Sequence, residues 1–188
     1  MGDSIVKWAA RHALEVIQDM QLGLEESGAE ITWKGKSGGY LTKMLPNLVK
    51  EVKNANRKPD IVIIHCDTND LGSVPHHRIQ DCLKQTVHKL QEMCPNIIIL
   101  WSDIIPRQYY SIAYSRSTLK LDKARKKINK FAKKLLLRPS GGTISYFIPY
   151  NNSDYFFPGD EVHLSRLGNS VLVGDWQRGI SGWLAVWQ

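Results

Sequence analysis

A short run of β-branched residues, Ile61-Val-Ile-Ile64, constrains the fold of this chain most strongly. A run that is both this short and this apolar predicts a strand buried on both faces, as in a parallel sheet. A similar run, Ile97-Ile-Ile-Leu100, follows after an amphipathic segment. Strands that alternate with helices of a dozen or more residues predict an α/β domain, in which helices cover both faces of a parallel sheet.

The apolar periodicity predicts alternating helices and strands along the whole chain. Trp8 is expected on the buried face of the first helix, and the pair Gly141-Gly142 is expected to interrupt the chain before the last strand. The predicted helices span residues 4–20, 41–54, 75–93, 119–137 and 164–186, and the predicted strands span 29–33, 61–64, 96–101 and 143–148.

The composition is that of a soluble globular protein. With 188 residues, 43% hydrophobic and 23% charged, the chain is expected to form one domain over residues 1–188. Its three cysteines show no paired spacing, which indicates a reducing compartment without a disulfide framework. The sequence has no signal-peptide pattern and no apolar run near the roughly 20 residues of a membrane span. We therefore expect an intracellular protein, cytoplasmic or nuclear. No Cys/His spacing predicts zinc, and no metal or other cofactor is expected.

Polar residues follow the predicted strands at the edge where α/β proteins bind ligands. Acyl transfer needs a hydroxyl nucleophile, an imidazole base, a carboxylate that orients the base, and donors for the oxyanion. Ser4 can supply the hydroxyl, His163 the imidazole, and Asp160 the carboxylate one turn earlier. The donors can be the Gly38 N–H and the Asn69 amide, with the Ser4 N–H as a third. Each stretch alone is a weak signal, because an Asn-Asp pair often only forms a turn.

Taken together and in this chain order, these stretches resemble the four blocks of the SGNH (GDSL-type) hydrolases. The matching residues are Gly2-Asp3-Ser4, Gly38, Asn69-Asp70 and Asp160-x-x-His163. The resemblance spans the whole chain. It is greatest to esterase-like domains of vertebrate proteins related to transposable elements, which have stretches similar to IVKWAAR, IHCDTNDLG, WSDIIPR and DEVHLSRLGN.

The resemblance implies a flavodoxin-like three-layer sandwich that hydrolyses an ester without a metal. The implied substrate is a small acetyl or short acyl ester, either a lipid or an acetylated compound. Gly39 stays an alternative to Gly38, because the glycine pair leaves the register open. The implied roles are nucleophile for Ser4, the rest of the triad for His163 and Asp160, and oxyanion donors for Gly38 and Asn69.

Three departures from the family pattern bear on activity. Asp67 stands where the family has glycine, two residues before Asn69, and a carboxylate there would oppose a developing oxyanion. Glu161 stands where relatives usually have glycine. The family has an apolar strand directly before Gly-Asp-Ser, and here the chain begins at Met1. We therefore expect an N-terminally truncated domain that lacks its first strand, with the nucleophile near a frayed terminus.

An alternative function depends on the basic segment Lys120–Lys134, which holds seven lysines and Arg125. A catalytically impaired relative could keep the fold as a binding module of a mobile-element protein and contact nucleic acid or anionic lipid with this face. The net charge of +7 permits such partners without establishing one. A solvated face opposite an apolar stripe is the simpler interpretation. His65 and Cys66 are expected to be core residues.

Overall fold

A parallel sheet of three strands lies at the centre of the structure, a computed structural model that describes residues 1–66, 68–106, 118–137, 140–146, 156 and 163–187. The strands are β1 (Ile61–His65), β2 (Ile98–Ser102) and β3 (Gly141–Ile144), in the order β1-β2-β3. Ile61 lies opposite Ile98, and Ile99 lies opposite Gly141. The predicted α/β class with a parallel sheet is confirmed.

Helices cover both faces of this sheet, as the alternation of elements predicts. They are α1 (Ser4–His12), α2 (Leu41–Asn54), α3 (His76–Met93), α4 (Thr118–Leu135) and α5 (Arg166–Trp187). Ile64 and Ile99 share a core cluster with buried residues of α2, α3 and α4. Leu100 and Ile144 belong to a second cluster, with buried residues of α1 and α5. Among the helices in the described part of the chain, none has the length and apolar character that crossing a bilayer requires.

The backbone of Met1 and Gly2 lies between β1 and the segment that precedes α2. Gly2 N donates to Lys34 O over 2.8 Å, and Lys36 N donates to Gly2 O over 3.0 Å. On the other side, His65 N donates to Met1 O over 3.0 Å. A Cβ at Gly2 would lie 2.2 Å from the His65 carbonyl oxygen, so only glycine fits between the two neighbouring backbones.

The strand predicted at residues 29–33 is wrong. These residues adopt no regular secondary structure, and the following Gly35 forms a single bridge to Gly2. A strand persists only where a neighbouring backbone pairs with its N–H and C=O groups along its length. Met1 and Gly2 offer this segment one bridge, which is too short a ladder to order the residues before it.

β3 begins at the glycine pair, so the interruption expected at Gly141 and Gly142 is wrong. A Cβ at Gly141 would lie 2.5 Å from the Ile99 carbonyl oxygen, and its absence lets β3 approach β2 closely. Glycine shapes α5 in the same way, because a Cβ at Gly179 would lie 2.7 Å from Ile144 Cδ1. Gly179 therefore serves packing against the sheet, and α5 continues through its glycines.

α1 is shorter than the helix predicted over residues 4–20. It ends at His12 and continues as one π-helical turn, Ala13–Ile17, after which Gln18 has a left-handed φ of 57°. Trp8 is 41% exposed, so the expectation that it faces the core is wrong. The spacing of apolar residues in this helix does not tell a side chain that faces the core from one, such as Trp8, at the edge of the apolar face.

Candidate active site

Ser4 is the first residue of α1 and lies just beyond the carboxyl edge of the sheet. Gly2 pairs with His65, the last residue of β1, so the chain leaves the sheet at this edge before α1 begins. Asp3 caps the helix, because its Oδ1 accepts from Ile5 N over 3.0 Å. Asp3 is fully buried, and Ser4 is 8% exposed. Amide groups at a helix start stabilise negative charge, which suits a nucleophile whose substrate becomes an oxyanion.

The glycine loop, residues 35–39, packs against the first turns of α1. A Cβ at Gly35 would lie 2.4 Å from Lys7 N, so the loop approaches the helix backbone directly. Gly38 has a left-handed φ of 64°, which favours glycine. Gly39 N donates to Lys36 O over 3.1 Å, whereas the Gly38 N–H has no partner among the described residues. Of the two candidate oxyanion donors, Gly38 is thus the one whose N–H is not already used.

Asn69 lies in a short 3₁₀ turn, Thr68–Asp70, that follows β1. Its Nδ2 donates to the carbonyl oxygen of Gly39 over 3.0 Å. This bond joins the turn after β1 to the glycine loop. The structure therefore brings together the two segments from which the sequence predicts oxyanion donors.

Asp70, the neighbour of Asn69, has a structural role. It is buried, and its carboxylate accepts from Leu41 N and, over 2.8 Å, from Thr42 Oγ1 at the start of α2. Tyr40, which precedes this helix, provides no side-chain cap. Asp70 thus caps α2 from a distant part of the chain and holds the glycine loop beside the turn that carries Asn69.

His163 lies against the helix that begins at Ser4. Its imidazole meets the indole of Trp8 edge-on, with ring centroids 5.9 Å apart and an angle of 60° between the planes. Trp8 is one helical turn after Ser4, so the two side chains share a helix face. The structure thus places His163 close to α1, on the side that carries the predicted nucleophile.

Asp67, Asp160 and Glu161 lie outside the described residues. The carboxylate of the predicted triad and the predicted lesion beside Asn69 therefore stay predictions. Cys66 is 2% exposed, as expected for a core residue. Burial raises the pKa of its thiol, and the carboxylates of Asp3 and Asp70 raise it further, so Cys66 does not offer a thiolate near this site.

A buried polar network lies below the site, and the sequence predictions missed it. His65 Nδ1 lies 2.5 Å from Ser102 Oγ, and this oxygen also contacts Tyr146 OH. Trp176 Nε1 donates to Ser102 Oγ over 3.0 Å and to Tyr146 OH over 2.6 Å. Burial lowers the pKa of His65 to about 3, so its imidazole is neutral at pH 7. His65 Nε2 has no hydrogen-bond partner among the described residues.

This network connects the strand ends to α5. His65 and Ser102 are the last residues of β1 and β2, and polar residues at the carboxyl ends of parallel strands meet at one edge. Their position at the ends of the two predicted strands was the sequence feature that could have indicated this network. Trp176 belongs to α5, the helix that follows His163. The network therefore fixes α5 against the strand whose continuation carries Asn69.

Solved structures resemble this chain over nearly its whole length, although no protein-family model and no curated protein matches its sequence. A GDSL-like lipase from Bacteroides thetaiotaomicron is 16% identical, with a TM-score of 0.73 over 97% of this chain and 86% of the lipase. A serine-to-alanine mutant of an acetyl esterase, solved with an acetate ion, is 15% identical, with a TM-score of 0.71 over 100% of this chain and 97% of the esterase. A carbohydrate esterase of family 3 from Talaromyces cellulolyticus is 15% identical, with a TM-score of 0.70 over 98% and 96% of the two chains. This chain therefore has the fold of the GDSL-type (SGNH) hydrolases, as the sequence resemblance implies.

Proposed function

We propose that this chain is a serine ester hydrolase of the SGNH (GDSL) type, with a triad of Ser4, His163 and Asp160. The placement of Ser4 carries the proposal. Ser4 starts α1 beyond the carboxyl edge of the sheet, and both the glycine loop and His163 lie against that helix. The order of the sequence blocks and the similarity in fold to esterases support the same assignment.

In the proposed reaction, Ser4 Oγ attacks the carbonyl carbon of the ester while His163 takes the hydroxyl proton. The resulting oxyanion accepts hydrogen bonds from the N–H groups of Ser4 and Gly38 and from the Asn69 amide. Collapse of this intermediate breaks the ester C–O bond, and His163 returns the proton to the leaving alcohol. Water then attacks the acyl-serine with His163 as base, the bond between Ser4 Oγ and the acyl carbon breaks, and His163 returns the proton to Ser4 Oγ as the acid leaves. Asp160 orients the imidazole and stabilises its positive charge.

The proposed substrate is an acetyl or short acyl ester of a lipid or another small compound. One structure of the same fold is an acetyl esterase solved with acetate, which supports a short acyl group. We also propose, from the sequence stretches quoted above, that the chain is related to esterase-like domains of vertebrate transposable-element proteins. From its three cysteines without paired spacing, we propose that it acts inside the cell.

Hydrolysis of p-nitrophenyl acetate by wild type and Ser4→Ala tests the proposed nucleophile. We expect Ser4→Ala and His163→Ala each to lower kcat on the order of a thousandfold or more. Ser181→Ala, an exposed serine on α5, is the matched control and should turn over like wild type. Retained turnover in Ser4→Ala would remove Ser4 from the role of nucleophile.

The second candidate function is a binding module that keeps the fold without turnover. The observation that favours it is the lysine face of α4, a set of exposed lysines: Lys120, Lys123, Lys126, Lys127, Lys130, Lys133 and Lys134. At about 100° per residue these positions span an arc of about 140°. Asp122 is the acidic residue of this helix, and it pairs with Arg125 and Lys126 at 2.8 Å. A folded wild-type protein without turnover on acyl esters would favour this function, with nucleic acid or anionic lipid as partner.

A further inference from the structure

Trp8 is a large apolar side chain that stays outside the core of a well-buried helix. Its neighbours Ile5 and Ala9 are 3% and 0% exposed, whereas Trp8 is 41% exposed. Trp8 follows Ser4 by four residues and so lies on the same helix face. Burial in the core therefore does not account for an indole at this position, whereas its contacts with other side chains do.

Two groups contact the indole of Trp8. The imidazole of His163 meets it edge-on, with ring centroids 5.9 Å apart. The guanidinium carbon of Arg11 lies 5.3 Å from the centroid of the indole. Arg11 is itself held by Glu15, because Arg11 Nε lies 2.7 Å from Glu15 Oε1. Side chains from successive turns of one helical segment thus form a contiguous row that ends at His163.

We infer that Trp8 is a positioning residue for the proposed reaction, holding the His163 imidazole at the distance and orientation from Ser4 that proton transfer requires. The inference rests on the proposed function, since it assumes that His163 takes the proton of Ser4. Trp8 and Ser4 lie one helical turn apart on the same face of α1. The indole therefore fixes the base relative to the nucleophile through the helix backbone.

The contact also predicts which kinetic constant depends on the indole. Because the imidazole is the proposed base, its misplacement slows proton transfer and leaves the binding of substrate intact. Loss of the indole should therefore lower kcat more than it raises KM.

Kinetics of two substitutions at Trp8 test this inference with a short acyl p-nitrophenyl ester. We expect Trp8→Leu to lower kcat about tenfold or more, with KM within twofold, because a misplaced base costs turnover even when binding is intact. Trp8→Phe keeps an aromatic ring at the same place and should retain kcat within threefold. Leu14→Ala removes a side chain that is 60% exposed on the same segment, and this control should match wild type.

The kinetic outcomes separate this inference from the proposed function. Wild-type kcat in Trp8→Leu, together with an inactive Ser4→Ala, would overturn the inference alone. A rise in KM with unchanged kcat would also overturn it, because Trp8 would then contact substrate. Turnover that persists in Ser4→Ala would overturn the proposed function itself.

A spectroscopic readout tests the same contact without any turnover. The ring current of Trp8 shifts the imidazole proton resonances of His163, which are assigned by their loss in His163→Gln. We expect these resonances to move in Trp8→Leu and to stay closer to their wild-type position in Trp8→Phe. Identical His163 resonances in wild type and Trp8→Leu would mean that the indole does not hold the imidazole.

Discussion

The side-chain amide of Asn69 donates to the carbonyl oxygen of Gly39 over 3.0 Å and so ties the turn after β1 to the glycine loop. Asn69→Ala removes both this link and the proposed oxyanion donor. We expect kcat to fall about 100- to 1000-fold, the usual cost of losing one such donor. Asn96→Ala, an exposed asparagine before β2, is the control and should keep wild-type turnover. A kcat within threefold of wild type in Asn69→Ala would exclude Asn69 from the oxyanion site.

Replacement of Asp67 by glycine should raise activity. Asp67 adds a side chain and a carboxylate two residues before Asn69, where the related family has glycine. Negative charge beside a developing oxyanion opposes it, and the loss of one oxyanion donor already costs about 3 kcal/mol. We therefore expect weak turnover in wild type and a higher kcat/KM in Asp67→Gly, measured at matched folded fraction. A ratio of the two efficiencies at or below one would show that Asp67 does not limit the reaction.

Binding of polyanions to the lysine face should depend steeply on salt. Lysine contacts to phosphate release counterions, so we expect affinity for RNA or for anionic vesicles to fall as ionic strength rises. Lys127→Glu with Lys130→Glu should weaken binding strongly. Lys50→Glu with Lys53→Glu changes the net charge equally on α2 and should have a much smaller effect. Affinity that is the same at low and high salt would rule out this surface as a polyanion site.

His65 should make the protein less stable toward acid pH. Burial lowers its pKa from 6.5 to about 3 in the folded state, while the unfolded chain keeps the ordinary value. The unfolded state therefore binds more protons between these two values, and the free energy of unfolding falls as pH falls through this window. The slope from His65 reaches at most about 1.4 kcal/mol per pH unit. Burial and the charge of Arg166 also lower the pKa of His12, which acts in the same direction.

Urea denaturation at a series of pH values from 7 to 4.5 measures this effect. We expect the free energy of unfolding of wild type to fall more steeply with pH than that of His65→Gln. His88→Gln, which changes an exposed histidine on α3, is the matched control. If the free energy of unfolding depends equally on pH in wild type and His65→Gln, burial does not lower the pKa of His65 as described.

The sequence predicted the sheet best where side chains alone decide the structure. Ile61–Ile64 and Ile97–Leu100 are too apolar to lie anywhere but between two helix layers. The first run lies wholly in β1, and the second lies in β2 from Ile98 onward. α2 has its predicted bounds because its apolar periodicity and the end of that periodicity at Asn54 are both local features of the sequence. Gly141 misled the prediction, since its missing side chain serves a close approach to Ile99 that no local pattern reports.

Residue type and chain order were enough to propose the candidate site from the sequence, but not to find its hydrogen bonds. Ser4 and Asn69 carry functional groups that suit acyl transfer, and their blocks could be found in the sequence. The hydrogen bond from Trp176 to Ser102 joins residues far apart in the chain, and either residue alone is unremarkable. Trp8 fits the apolar period of α1, so its exposure follows only from the position of the neighbouring elements.

The capping of α2 by Asp70 separates two selective pressures that act on neighbouring positions. Under the proposed function, a descendant that gives up catalysis still needs this buried carboxylate to cap α2, whereas the half-buried bond from Asn69 to the Gly39 carbonyl oxygen matters less to folding. Mutational drift should therefore erode Asn69 first and spare Asp70. A sequence survey that scores the Asn-Asp pair as one motif therefore mixes evidence of turnover with evidence of a stable fold. Comparing how often relatives lose Asn69 and how often they lose Asp70 would identify the lineages that kept the fold without catalysis.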